Sequence, residues 1–317
     1  MVVRMKMKGM ALGLMAAGLT ATVAGCGTNA SSPATQDVAT VQKQPVTAAQ
    51  LANFVAMTEF FQGSTLPNNK QEKALEVKAL VQQTAVNQWA LAHHLITMKS
   101  ASNQATKLIK TQIESQVGGA KGLDQLLKSK HLAFSTLQTY VTQQMVTQSA
   151  FTYATKNVKD PTTAAEEQYY NKNKVQFTNP QQDEINDIVV KTQATANTLL
   201  SDLQHGANFA QLAKKNSISS TAKSGGSLGY LPVSPQGGMS LPMYEAVLSM
   251  KVGQYKVYQG SQGYHVIELQ ATKPSTVTPF SQVQSEVKSL LLQQSQDNVY
   301  QAFANKVEKS MKITINK

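Results

Sequence analysis

An α+β architecture is expected for this 317-residue chain: a helical body assembled from both ends of the sequence, with a small sheet-and-helix domain inserted between them. Three observations predict it. From Thr47 to about Asn157, apolar residues recur at three- and four-residue steps; after Pro180 a β-branched run and two glycine-rich tracts take over; from Pro279 to Ile313 one long helical stripe returns. A lone helix of that length needs somewhere to bury its apolar side, and the N-terminal helices offer the surface.

The first eight residues carry Arg4, Lys6 and Lys8 and no acid, and Gly9–Gly25 is uncharged, which is the layout of a secretory signal. The other reading is an uncleaved span. Its length of about 17 residues, rich in Gly and Ala, falls short of the roughly 20 strongly apolar ones a span requires. The segment ends in Val23-Ala24-Gly25-Cys26, and Cys26 is the only cysteine, so no disulfide forms within the chain. This tetrapeptide resembles the lipobox of bacterial lipoproteins. The resemblance implies that 1–25 is a lipoprotein signal peptide and that Cys26 is lipidated, on the extracytoplasmic face of a bacterial membrane. Residues 26–46, "CGTNASSPATQDVATVQKQPV", have almost no large apolar side chain and are expected to form a flexible tether.

The formal net charge is +11, and removal of the three signal-peptide charges leaves +8. That excess favours anionic neighbours such as lipid headgroups, acidic wall polymers or acidic polypeptides. No basic run or aromatic-interleaved stripe grips phosphates, which argues against nucleic acid. Within 181–273, seven Lys face six Asp and Glu, so the surplus lies on the helical body.

Helices are expected where Leu51, Phe54, Val55, Thr58 and Phe61 recur, then from Leu75 to Leu95, over Ala105–Val117, over Leu123–Lys128, and over Phe134–Thr155 behind a Ser135 cap. Gly118-Gly119 separates two of them, and Asp160-Pro161 starts another as N-cap and first helical residue. These elements make residues 47–178 the first part of a helical domain, completed by 279–317. Between them, "EINDIVV" (184–190) reads as a strand, 193–206 and 208–217 as helices, Pro242–Met250 as a short helix, and Tyr255–Tyr258 and 264–270 as strands. The glycine tracts "SGGSLGYLP" (224–232) and "GGMSLPM" (237–243) punctuate this region and lack the Gly-Lys-Ser/Thr ending of a phosphate loop.

"TTAAEEQYYNKNKVQFTNP", "FAQLAKKNSISSTAKSGGSLGYL", "MYEAVLSMKVGQYK" and "SQGYHVIELQ", in that order, resemble the parvulin-type (PpiC) peptidyl-prolyl isomerase domain, here over residues 181–273. With the lipobox and the flanking helices, the whole chain resembles the PrsA-type foldase lipoproteins. The resemblance implies a proline pocket at Leu228, Met239 and Met243, with ordinary core as the second reading of the same residues. Leu and Met suit an apolar, rigid prolyl ring.

In the resembling domains a polar quartet of two histidines, a cysteine or aspartate, and a hydroxyl residue lies at the sheet centre. This sequence departs from it. The positions fall on Asp187, Ser219, Gly260 and His265, and only His265 matches outright; Ser261 could stand in for the hydroxyl if the turn shifts. Two outcomes stay open. Asp187 accepts a hydrogen bond from His265 and a weak isomerase survives, or the pocket holds prolyl segments without rate enhancement. A third reading makes His265 a plain core histidine.

The remaining histidines carry less. His93 and His94 are consecutive and cannot share a metal as an i,i+4 pair does, His131 and His205 stand near helix ends, and no cluster has metal-ligand spacing, so no metal or cofactor is expected. Trp89 reads as helical core. The expected function is a membrane-anchored foldase that binds unfolded secreted polypeptides and proline-containing segments, with Met57, Phe60 or Phe61 in a client groove. The resemblance also implies a homodimer. The rival is a non-enzymatic structural or solute-binding lipoprotein with a vestigial parvulin domain, although two alternating β/α lobes of a solute receptor are absent from the pattern.

Overall fold

A computed structural model describes residues 36–234 and 237–316, so the signal-like segment 1–25 and Cys26 lie outside the described residues. The chain divides into two compact units: the part up to Asp160 together with Leu290 onward, and Pro161–Ser289.

The first unit begins with a hairpin, β1 (Asp37–Val41) and β2 (Gln44–Thr47), turning through Gln42 at a left-handed φ of 58°. Thr47 then caps α1 (Ala48–Gln62): its hydroxyl accepts from the Gln50 N–H while the Gln50 side chain accepts from the Thr47 N–H, a reciprocal capping box. Gly63, left-handed at φ 69°, ends it. α2 (Lys70–Ala92) follows an Asn69 cap, and α3 (Met98–Leu108) continues through a wide π turn, Ile109–Ile113, into α4 (Glu114–Gln116). After the left-handed Gly118 come α5 (Gly119–Ser129) and α6 (Phe134–Thr155). The cap of α6 is Ala133 and makes no side-chain bond, so the expected Ser135 cap sits inside the first turn instead.

The second unit opens with α7 (Thr163–Lys172), capped by Thr162, whose hydroxyl accepts from the Ala165 N–H. Asp160-Pro161 therefore precedes the helix and does not cap it. β3 (Thr178–Asn179), β4 (Gln182–Val190), α8 (Gln193–Gln204), α9 (Phe209–Asn216), β5 (Ser227–Pro232), α10 (Leu241–Val247), β6 (Tyr255–Gly260), β7 (Gly263–Lys273) and β8 (Thr276–Val277) follow. α11 (Phe280–Ser310) passes from this unit into the first, and β9 (Ile313–Ile315) ends the described chain.

The first unit's main core joins Met57, Val86, Ile109, Ile113, Leu137 and Val146 with Tyr300, Ala304 and Val307 from α11. Asn87 links α2 to α6 inside it, donating to Gln143 Oε1 at 2.8 Å and accepting from the Thr147 hydroxyl at 2.9 Å. A sheet ordered β2-β1-β9 packs Ala39, Val41 and Val46 against Leu80, Val81 and Ala85. Residues 37–46 are therefore ordered strand pairs, which corrects the tether expected over 26–46: alternate Val and Ala side chains are enough to cover one flank of α2. The client groove at α1 is corrected as well. Met57 is fully buried and Phe60 nearly so, while Phe61 stacks on Tyr140 with ring centroids 5.6 Å apart. Of this helix only Met57, Thr58 and Phe60 are buried, and Phe61 is half-buried against Tyr140, so two of the three expected groove residues are taken up by the core. Trp89 packs on the core edge as expected, T-shaped to Phe303 at 4.8 Å and stacked on His93 at 4.0 Å.

The second unit is an antiparallel four-stranded sheet ordered β5-β4-β7-β6. Because side chains alternate across a strand, Ile188, Val190 and Val266 face α8 and α9, where Ala196, Leu199, Leu203 and Phe209 cover them. The opposite face carries Ile185 and Ile267 under Met239, Met243, Ala246 and Val247. The unit is wider than the expected 181–273. Tyr170 Oη donates to the Thr278 carbonyl at 2.8 Å, and Gln284 Nε2 donates to the buried Glu166 at 2.9 Å, which ties α7 and the start of α11 to this unit. Among the described residues no helix is long and apolar enough to cross a membrane.

Candidate functional site

β4 and β7 pair with Val189 opposite His265 and Asp187 opposite Ile267, so Asp187 and His265 are diagonal neighbours on one face. The Asp187 carboxylate meets His265 Nδ1 with both oxygens, Oδ2 at 2.9 Å and Oδ1 at 3.1 Å, and the two side chains are only 6% and 12% exposed. An ionised carboxylate only accepts, so Nδ1 carries the proton and donates; Nε2 is then an acceptor in the neutral form of the ring. The Asp187 backbone is held too, its N–H donating to the Gly226 carbonyl at 2.8 Å. Gly226 has φ 82°, and a Cβ there would come within 2.6 Å of the Asp187 carbonyl, so the glycine permits the close crossing.

Gly260 and Gly263 close the β6–β7 hairpin, with Ser261 and Gln262 exposed in the turn. Gly260 abuts the imidazole itself: a Cβ would lie 2.6 Å from His265 Nε2. Ser261 lies exposed in the two-residue turn beside it. Ser219 also stands apart from the pair. It belongs to a hydroxyl chain in which Ser217 donates to Ser219 at 3.2 Å and Ser219 meets Thr221 at 2.8 Å, while Ser217 also accepts from the Val189 N–H. Ser219 thus orders the segment after α9.

Leu228, Met239 and Met243 do come together. They share one cluster with Ile185 and Ile267, on the sheet face that carries Asp187 and His265. Met239 is 3% and Met243 8% exposed, so the two methionines pack down on the sheet.

A residue missing from the sequence reading joins them. Tyr258 pairs directly with His265 across the hairpin and stacks on its ring, with centroids 4.6 Å apart and planes 11° from parallel. Its ring packs against the same methionine cluster, and its hydroxyl is buried without a hydrogen-bond partner. Burial first, and the Asp187 charge second, push its pKa well above the ordinary tyrosine value; the Ser240 side chain pulls weakly the other way. The signal was in the sequence: a hairpin closed by Gly260 and Gly263 places residue 258 opposite 265. Among the described residues no group of three or more His, Cys, Asp or Glu could hold a metal ion.

Residues 161–285 match the family of the PPIC-type PPIase domain (Rotamase_2), close to the bounds of the second unit. The chain is 30% identical over 197 residues to the foldase protein PrsA of Clostridium botulinum (strain Loch Maree / Type A3), covering 62% of this chain and 58% of that relative. It is 34% identical over 145 residues to a probable parvulin-type peptidyl-prolyl cis-trans isomerase of Bordetella pertussis, covering 44% and 55%. The chain thus spans less than three fifths of the length of these curated relatives. Among solved structures, one from the work on the SurA-like chaperones PEB4 and Cj1289 of Campylobacter jejuni has a TM-score of 0.47 and 19% identity, covering 89% of this chain and 100% of that one. The chain carries a domain of the PPIC-type PPIase family, in a sequence similar to the PrsA foldases.

Proposed function

We propose that this protein is an extracytoplasmic foldase, anchored through lipid on Cys26, that binds unfolded secreted polypeptides and grips their prolyl segments at the Leu228–Met239–Met243 face with weak or lost isomerase turnover. The observation that carries this reading is the buried Asp187–His265 pair beside the methionine cluster. Rotation about an Xaa–Pro bond faces a barrier of about 18–20 kcal/mol because twisting destroys amide resonance. Twisting returns a lone pair to the prolyl nitrogen, so a donor aimed there lowers the barrier. With Nδ1–H committed to Asp187, the neutral form of His265 offers only an acceptor at Nε2. Apolar burial of the ring remains, and it favours binding more than turnover. Ser219, with its hydroxyl committed elsewhere, serves the loop and not the bond.

The test is cis/trans relaxation of an Xaa-Pro peptide with the full chain beside an Asp187→His variant, together with suppression of aggregation of an unfolded protein. Slow turnover that rises in the variant, and suppression at stoichiometric amounts, support the reading; turnover lost on Asp187→His, or no suppression, counts against it. Loss of membrane association in Cys26→Ser tests the anchor. The surplus positive charge of the first unit makes that unit the proposed contact for anionic wall polymers, and sedimentation of the full chain tests the implied homodimer.

A further inference from the structure

Tyr258 carries a buried hydroxyl that the reading above leaves unused. Among the described residues it is the only buried side-chain nitrogen or oxygen atom without a hydrogen-bond partner. Such a group costs free energy in the unliganded protein, and apolar filling of the same space would not. The local geometry does not relieve it. Asp187 holds His265 Nδ1 and Ser240 accepts from the Met243 N–H; Ser240 lies close enough to lower the Tyr258 pKa slightly, yet neither group meets the Tyr258 hydroxyl in hydrogen-bonding geometry.

We propose that the Tyr258 hydroxyl is a ligand-facing donor in this site, made to bond a backbone carbonyl oxygen of a proline-containing peptide. The inference rests on the prolyl-site reading of the Leu228, Met239 and Met243 face. An Xaa-Pro unit has no imide N–H, so its backbone presents only acceptors there. The other polar groups of the face do not match that: Asp187 only accepts, neutral His265 accepts at Nε2, and Gly260 has no side chain. Tyr258 is the complementary group. Its ring is fixed by stacking on His265 and its body by the methionine cluster, so the hydroxyl is pre-aimed. The side chains beside it include Met239 and Met243, with three rotatable bonds each, which can swing aside for a ring of prolyl size. Burial and the Asp187 charge keep the phenol protonated, hence a donor, throughout the ordinary pH range.

A donor on the imide oxygen stabilises the planar amide, whose oxygen carries the resonance charge, more than the twisted one. Tyr258 therefore strengthens binding without speeding rotation.

The experiment compares full-length wild type with Tyr258→Phe in three measurements: urea unfolding, affinity for a fluorescent Xaa-Pro peptide against its Xaa-Ala counterpart, and turnover. The expected variant is at least as stable as wild type, binds the proline peptide about 3- to 10-fold more weakly, and turns over no more slowly at saturation. A destabilised variant overturns the assignment, because the hydroxyl would then be satisfied in the free protein. A wild-type preference for proline that Tyr258→Phe leaves unchanged overturns Tyr258's role alone. Absence of that preference in the wild type overturns the prolyl-site reading and the assignment with it.

Discussion

Gly260 stands against His265 so closely that a Cβ on it would lie 2.6 Å from Nε2 and 2.8 Å from Cδ2. A side chain here has to displace the imidazole, and the imidazole is held by Asp187. Gly260→Ala is therefore expected to cost about 1–3 kcal/mol, the usual penalty of overpacking. In a His265→Ala background most of that cost should vanish, because the obstructing ring is gone. A double-mutant cycle by urea denaturation measures the coupling, and additive effects would contradict it.

The Asp187–His265 pair fixes the ring proton. Long-range nitrogen–proton correlation spectra are expected to show His265 protonated at Nδ1 and bare at Nε2 when neutral. Asp187→Ala should destabilise by about 1–3 kcal/mol, since it leaves a buried N–H unsatisfied. Asp187→Asn keeps a carbonyl acceptor and should cost less. Equal losses for the two variants would mean that the carboxylate's charge, and not its acceptor geometry, stabilises the site.

Alkaline pH should weaken the first unit through Tyr300. Burial pushes its pKa from 10 up to about 12. The raised value means the fold favours the neutral phenol, so the contribution is complete below pH 10 and is lost as pH climbs from 10 through 12. The loss is on the order of 2–3 kcal/mol for a shift of that size. Unfolding midpoints at pH 9 and pH 11.5 in wild type and Tyr300→Phe test it: the variant should have the shallower fall.

Gly122 has no room for a side chain. A Cβ there would collide with the Val117 carbonyl oxygen, which is backbone and cannot swing away. Gly122→Ala is expected to cost about 3 kcal/mol or more, although Ala is the better helix former. Gly118 offers the contrast, with φ 83° and nothing within 4 Å. Asn tolerates that conformation, so Gly118→Asn should cost well under half as much. Thermal melts by circular dichroism rank the two.

Why some elements were legible and others were not follows from how much chain each period occupies. β4, α8, α9 and β7 announce themselves because "EINDIVV", "TLLSDLQ" and "YHVIELQ" repeat their pattern over a full strand or two helical turns. β1, β2 and β9 hold three to five residues each and bury few side chains, so local periodicity passes beneath notice. Their partners lie far apart in sequence, and only the pairing of Ala39 with Ile315 reveals them. At the site, Asp187 and His265 were readable through the resemblance, which fixes their strands. Ser219 is engaged by a chain of hydroxyls, Ser217 to Thr221, which its place in the sequence does not announce. Tyr258 escaped because a tyrosine in a strand reads as filling; its significance comes from an unpaired oxygen, which no pattern encodes.

The pairing of β1 with β9 also sets an order of assembly. Strand Asp37–Val41 cannot complete its sheet until Ile313–Ile315, more than 270 residues further along the chain, arrive. Closing so long a loop through a floppy chain is entropically slow. Within the intervening unit, however, Thr178 pairs with Val277, so once that unit has formed it draws its own two ends together and shortens the tether that remains to be closed. The Thr178–Val277 pairing thus acts as a built-in clasp that shortens the loop between Asp37–Val41 and Ile313–Ile315.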